Sequence, residues 1–190
     1  DKEQDVLFQA FNQYFSSGFT GLVLDEIREK RSMAYTAYGI MSEGARPGRN
    51  SCFMGYIGTQ SDKAADAIDV FMNLVDSMPE YPERIEAVKA ALRQNAQISK
   101  PSFRGKTQTY DYWREMGYSE DPALYNKEAI DNLTFDQIKA FYQQNIQGKP
   151  MTIILVGDPK LINQKALQAK YGKFIKPSKG KLFAPLDLDF

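Results

Sequence analysis

Met33-Ala-Tyr-Thr-Ala-Tyr-Gly-Ile-Met41 and Ser51-Cys-Phe-Met-Gly-Tyr-Ile-Gly-Thr59 decide the class of fold. The first stretch is rich in aromatic and small residues. The second sets Cys52, Met54 and Tyr56 against Phe53, Gly55 and Ile57, the two-residue period of a strand whose faces differ. Between them Ser42 to Asn50 contains Gly and Pro, so the pair predicts an antiparallel hairpin with a long loop. On both sides of this hairpin the apolar period becomes helical.

Upstream, Val6, Leu7, Ala10, Phe11, Tyr14 and Phe15 mark one helix face, interrupted at Ser16-Ser17-Gly18. A second helix follows, with Phe19, Leu22, Val23 and Ile27 on its apolar face and a basic cluster where its dipole is negative. Downstream, Ser61 can cap a helix striped by Ala64, Ala65, Ile68, Phe71, Met72 and Val75. Pro82 opens a long helix through Ile85, Val88, Leu92 and Ile98 that Pro101 stops. Phe103 to Met116 reads as an aromatic helix closed by Gly117, and Asp121-Pro122 opens a short one. Thr134-Phe-Asp-Gln137 fits a capping box for a helix built on Phe135, Ile138, Phe141 and Tyr142 and ended by Gly148.

Met151 to Val156 is a continuous apolar run between Lys149-Pro150 and Gly157-Asp158-Pro159, the signature of a buried strand. Lys160 to Tyr171 reads as a last helix, and residues 172–190 as an extended tail or linker after a domain spanning 1–171. The sum is α+β: an antiparallel sheet shared by the Tyr35, Cys52 and Ile153 strands, covered on one face by the helices of Ile68, Val88 and Phe141.

Composition removes many functions. The 190 residues contain no histidine, which excludes Ser-His-Asp and Cys-His nucleophile activation and every zinc site that uses imidazole. One cysteine, Cys52, excludes an intrachain disulfide and a thiolate metal cluster; in a strand it is expected to act as a small hydrophobe. Twenty-four basic residues balance twenty-four acidic ones, so no overall field favours nucleic acid or an anionic membrane. No apolar run is long enough for a membrane span, and a soluble chain is expected. The start lacks methionine and leads straight into a helical pattern, which reads as a piece of something longer.

The residue patterns alone give no catalytic set. Gly18-Phe-Thr-Gly21 matches a nucleic-acid-clamping GXXG loop, but Asp25 and Glu26 follow and no basic patch flanks it, so an interhelical turn is expected. Asp25 and Glu26 point about 100° apart on a helix and read as a solvated face rather than an acid–base pair. Tyr110, Tyr112, Trp113 and Tyr118 at helical spacing read as helix packing before a stacking surface.

Ser16-Ser-Gly-Phe-Thr-Gly-Leu-Val-Leu-Asp-Glu-Ile-Arg-Glu-Lys-Arg-Ser-Met-Ala-Tyr35, followed by the hairpin, Gly58-Thr59 and an amphipathic helix, resembles the insulinase or pitrilysin-like (M16) zinc peptidases. Asn132-Leu-Thr-Phe-Asp-Gln137 and Ile153-Ile-Leu-Val-Gly-Asp158 stand in the matching order, so the resemblance covers roughly residues 5 to 160. Its sharpest part is Arg28 to Tyr35. The resemblance implies the LuxS/MPP-like metallohydrolase type of fold, with the family's first strands preceding Asp1.

The family carries His-X-X-Glu-His on its early helix, where this chain has Phe11 to Phe15 and no ligand. The resemblance therefore implies the non-zinc domain of a bipartite protease: no cofactor in this chain, zinc on a partner domain of the same or another chain, and a peptide as substrate. It implies substrate-binding roles for Arg28 and Tyr35, which match the family's Arg and Tyr seven residues apart. The sequence leaves the compartment open, with a periplasmic or cell-envelope location the one to expect of a bacterial source. The alternative is a scaffold domain that kept the fold and lost proteolysis. Without the resemblance, Arg28 near a helix end complements the dipole and Tyr35 at a strand entry packs.

Overall fold

The computed structural model describes residues 4–17, 21–44 and 48–175. The expected tail from 176 onward and the glycine turn at 18–20, with Phe19, lie outside these residues. The hairpin is present: β1 (Ala34–Ser42) pairs antiparallel with β2 (Cys52–Thr59), with Tyr38 opposite Tyr56 and Met41 opposite Phe53. Ala37, Gly39 and Met41 of β1 face inward, beside their cross-strand partners Ile57, Gly55 and Phe53. On the other face the Tyr38 and Tyr56 rings stack at 5.4 Å.

The first helix, α1 (Asp5–Phe15), buries Val6, Phe8, Ala10, Phe11, Tyr14 and Phe15 and lies on β1. Its polar residues complete the strand's edge. The Asn12 amide donates to the Met41 carbonyl at 2.9 Å and accepts from the Met41 N–H at 2.7 Å, while Ser16 Oγ accepts from the Gly39 N–H at 2.7 Å. These bonds do for β1 what a neighbouring strand would do, and they set the height of α1 over the sheet.

After Gly21 the chain forms α2 (Leu22–Leu24), which runs directly into a π-helical turn at Asp25–Glu29. Following β2 come α3 (Ala64–Asp76), α4 (Ile85–Ile98), α5 (Lys106–Glu115), α6 (Pro122–Tyr125), α7 (Lys127–Asp131), α8 (Phe135–Asn145) and α9 (Gln164–Tyr171). Short 3-10 turns at Ser61–Lys63 and Pro82–Arg84 lead into α3 and α4, so Ser61 lies inside the first turn rather than capping it. The capping box forms as expected: Gln137 N–H donates to Thr134 Oγ1 at 3.3 Å and Thr134 N–H to Gln137 Oε1 at 2.9 Å.

The helical layer differs in arrangement from the sequence expectation. The sheet is covered by α1 and α3, while α4 and α8 pack on α1. An aromatic chain joins the layers: Phe141 meets Phe8 edge-on at 5.0 Å and Phe11 at 5.8 Å, and Phe11 stacks on Phe15 at 5.1 Å.

Three further expectations are corrected. Met151 to Val156 forms no regular element and lies outside the sheet, which is two-stranded among the described residues; Ile154 is 81% and Val156 95% exposed. The run has the composition of a buried strand, yet a strand requires a ladder partner, and β1 and β2 pair only with each other here. The aromatic helix α5 buries none of its residues and leaves Tyr110 and Tyr112 half exposed; of the four aromatics only Tyr118, beyond the helix, is buried. Cys52 is exposed, since its side chain belongs to the outward set of β2 with Met54 and Tyr56. Among the described residues no helix is long and apolar enough to cross a membrane.

Candidate functional site

Arg28 and Tyr35 line one open cleft of about 740 Å³ at the end of the hairpin, between the π turn and the start of α3. Local backbone irregularities place both. In the π turn Lys30 N–H donates to the Asp25 carbonyl at 3.0 Å, five residues back, which adds a residue to the turn and rotates Arg28 relative to an α-helical course. The turn ends at Ser32, the one non-glycine with positive φ (48°) among the described residues, whose N–H donates to the Arg28 carbonyl at 2.8 Å. Met33 N–H then reaches the Ile27 carbonyl at 3.0 Å, closing the helix end with a left-handed residue.

Tyr35 stands on a β-bulge. Ala34 pairs with Thr59 and Thr36 with Gly58, so Tyr35 is the extra residue of β1, opposed by no partner. A bulge turns its residue out of the pleat, and the Tyr35 side chain is 92% exposed. The Thr59 hydroxyl donates to the Met33 carbonyl and ties the strand end beneath the bulge.

The charges around the cleft are organised by the helix end. Glu26 accepts from Lys30 and Arg31, and these hydrogen bonds, Lys30 first, hold its carboxyl below the usual value. Lys30 is held above its usual value by the same bond. Asp25 lies 3.3 Å from Lys30 and 3.7 Å from Arg84. Arg28 makes a 3.5 Å contact with the adjacent Glu29 and stays half exposed, so its guanidinium is presented to the cleft rather than consumed by a strong pair. Ser32, Tyr56, Gly58 and Lys63 complete the wall.

The two residues singled out from the sequence are thus brought to one cleft. Tyr56 and Lys63 were not foreseen; they join it through strand register and the turn into α3, signals that only the folded chain contains. The chain has no histidine and one cysteine, and among the described residues no group of three or more Cys, Asp or Glu side chains could hold a metal ion. The residues present do not fit a zinc ion.

No family model matches the chain, and no curated protein matches it. Among solved structures it is similar to a peptidase M16 inactive domain from Pseudomonas fluorescens, with TM-score 0.55 and 20% identity over 76% of this chain. The fold is M16-like. It is also similar to a conserved protein from Enterococcus faecalis, with TM-score 0.59 and 16% identity over 75% of this chain. This chain spans about a third of the length of those two, 34% and 33% respectively. At these identities the likeness concerns fold alone.

Proposed function

We propose that this chain is the zinc-less, substrate-binding domain of an M16-type zinc metallopeptidase, working opposite a zinc-bearing domain in the same or another polypeptide. The observation that carries the reading is the joint presentation of Arg28 and Tyr35 in one cleft, each by a backbone irregularity of its own. Strand packing does not account for Tyr35, which is almost fully exposed; Arg28 lies in the last helical turn, where it also complements the dipole, and lines the same cleft. The likeness of the fold to a peptidase M16 inactive domain supports the same reading.

The chemistry suits a peptide backbone. A guanidinium presents a planar fork of donors and a phenol one more, and an extended peptide offers carbonyl oxygens at regular intervals. Donors held where charge develops on a carbonyl stabilise the tetrahedral state more than the ground state. No hydrolytic step is assigned to this chain's own groups, because its residues do not fit the metal. The test is peptide cleavage by the full-length or partner-complemented protein, with and without Arg28 and Tyr35. Cleavage that depends on both supports the reading, whereas an assembled protein that cleaves no peptide supports the scaffold alternative.

A further inference from the structure

The cleft has two unlike walls. On the π-turn side the Arg28 guanidinium lies 3.5 Å from the Glu29 carboxylate, and both residues line the cleft, so their charges offset each other there. On the α3 side Lys63 lines it with Gln60, Thr59 and Tyr56, and the adjacent Asp62 is not part of that wall. We propose that this α3 wall binds a carboxylate of the peptide, with Lys63 as its counter-ion and the Tyr56 hydroxyl as a second donor. The inference rests on the peptide-binding reading of the cleft and adds to it a class of substrate.

Lys63 is not explained by the helix it introduces. It is the residue at which the 3-10 turn Ser61–Lys63 passes into α3. The dipole is positive at that end, so an ammonium there opposes a field that an acidic residue would complement. Lys63 is exposed. Lys30 and Arg31, by contrast, are tied to Glu26 at their own helix end.

Tyr56 is aimed by its neighbours. Its ring stacks on Tyr38 at 5.4 Å across the hairpin. Gly58, the next residue on the same strand face, leaves the phenol room to lean along the strand: a Cβ there would stand 3.4 Å from both Cε1 and the hydroxyl oxygen of Tyr56. The hydroxyl therefore ends beside a glycine that itself lines the cleft. An ammonium gives a carboxylate a charge-assisted bond, and a phenol adds a neutral donor. At about 740 Å³ the cleft is large enough for a peptide segment to meet Arg28 and Tyr35 with its backbone and Lys63 with an acidic group. That group is an Asp or Glu side chain or the peptide's own C-terminus.

The full chain is titrated, at constant ionic strength and with amide shifts followed by NMR, with acetyl-Ala-Ala-Glu-Ala-Ala-amide, with its Gln counterpart, and with acetyl-pentaalanine bearing a free C-terminus. A carboxylate peptide is expected to bind about fivefold more tightly than the neutral one, the worth of one ion pair at a partly open site. Preference for the Glu peptide identifies an acidic side chain, and preference for the free acid a chain terminus. Lys63→Gln should bring the ratio close to one and Lys63→Arg should keep most of it. Tyr56→Phe should reduce it, and decides alone if Lys63→Gln disturbs the fold. Equal affinity for charged and neutral peptides, no binding of any of them, or a preference undiminished in the folded variants would overturn the proposal. Cleavage by the assembled protein is a separate measurement. Cleavage that needs Arg28 and Tyr35, together with indifference to the carboxylate, removes this inference alone; a Lys63-dependent preference without any cleavage removes the peptidase reading and leaves the carboxylate site.

Discussion

Gly39 and Gly55 stand directly opposite each other on the β1–β2 ladder, and each occupies a place where an aromatic ring touches the backbone. A Cβ on Gly39 would come within 2.7 Å of the Phe15 ring, and one on Gly55 would run into the Phe71 ring. Both α1 and α3 therefore seat on the same inner face of the hairpin through this pair. Gly55→Ala is expected to destabilise the chain by about 1–3 kcal/mol, because Phe71 must leave a packed position to admit a methyl group. Urea unfolding with an unchanged m-value would measure it, and Phe71→Leu in the same background should recover part of the loss.

Tyr142 links α8 to the last turn of α3 and the chain just after it. Its hydroxyl donates to the Val75 carbonyl at 2.8 Å and accepts from the Met78 N–H at 3.2 Å, both in the buried interior, and burial raises its pKa. Tyr142→Phe keeps the ring and leaves a carbonyl and an N–H unmatched, so a cost of about 1–3 kcal/mol is expected. A thermal or urea midpoint equal to that of the unaltered chain would show that these groups find other partners.

Glu26 makes stability depend on acid. Its carboxyl, lowered by Lys30 and Arg31, has an ordinary value of 4.5. A group depressed in the folded state contributes stability in full above its unfolded value, and the contribution disappears as pH falls through the folded value. The stability difference between the unaltered chain and Glu26→Gln is therefore expected to be constant from neutral pH down to about 5.5 and to shrink below it, vanishing only in strong acid. High salt should reduce the plateau, since both cations are substantially exposed.

The features legible in the amino-acid order are those set by near neighbours. The capping box needs only Thr134 and Gln137, and the alternation from Cys52 to Ile57 declares two faces without reference to anything else. Met151 to Val156 has the same local character as a buried strand, but burial depends on what lies alongside, and no residue within the run encodes that. Tyr110 and Tyr112 are exposed for the same reason. At the cleft, the types and spacing of Arg28 and Tyr35 could be read, whereas the π turn and the bulge that aim them arise from hydrogen-bond register. The hydrogen bonds of Asp5 with Tyr118 and Asn126 were illegible because they join residues 113 and 121 positions apart.

The cleft itself gives the sharpest prediction for activity. Tyr35 is 92% exposed and contributes little to the core, and Arg28 makes one long contact with its sequence neighbour, so neither side chain supports the fold to any extent. Arg28→Ala and Tyr35→Phe should accordingly leave the unfolding midpoint within about 0.5 kcal/mol of the unaltered chain. In the full-length or partner-complemented protein each should lower kcat/KM for peptide cleavage by roughly tenfold or more, the loss that accompanies removal of a transition-state donor. Tyr35→Phe is the more telling change, because it deletes one hydroxyl and nothing else. If that hydroxyl acts only in the transition state, kcat falls while KM stays; if it holds the ground-state peptide equally, KM rises and kcat stays. Metal content of the assembled protein should be identical throughout. Unaltered kcat/KM in both variants would leave the cleft without a part in catalysis and turn the assignment of this domain toward scaffolding.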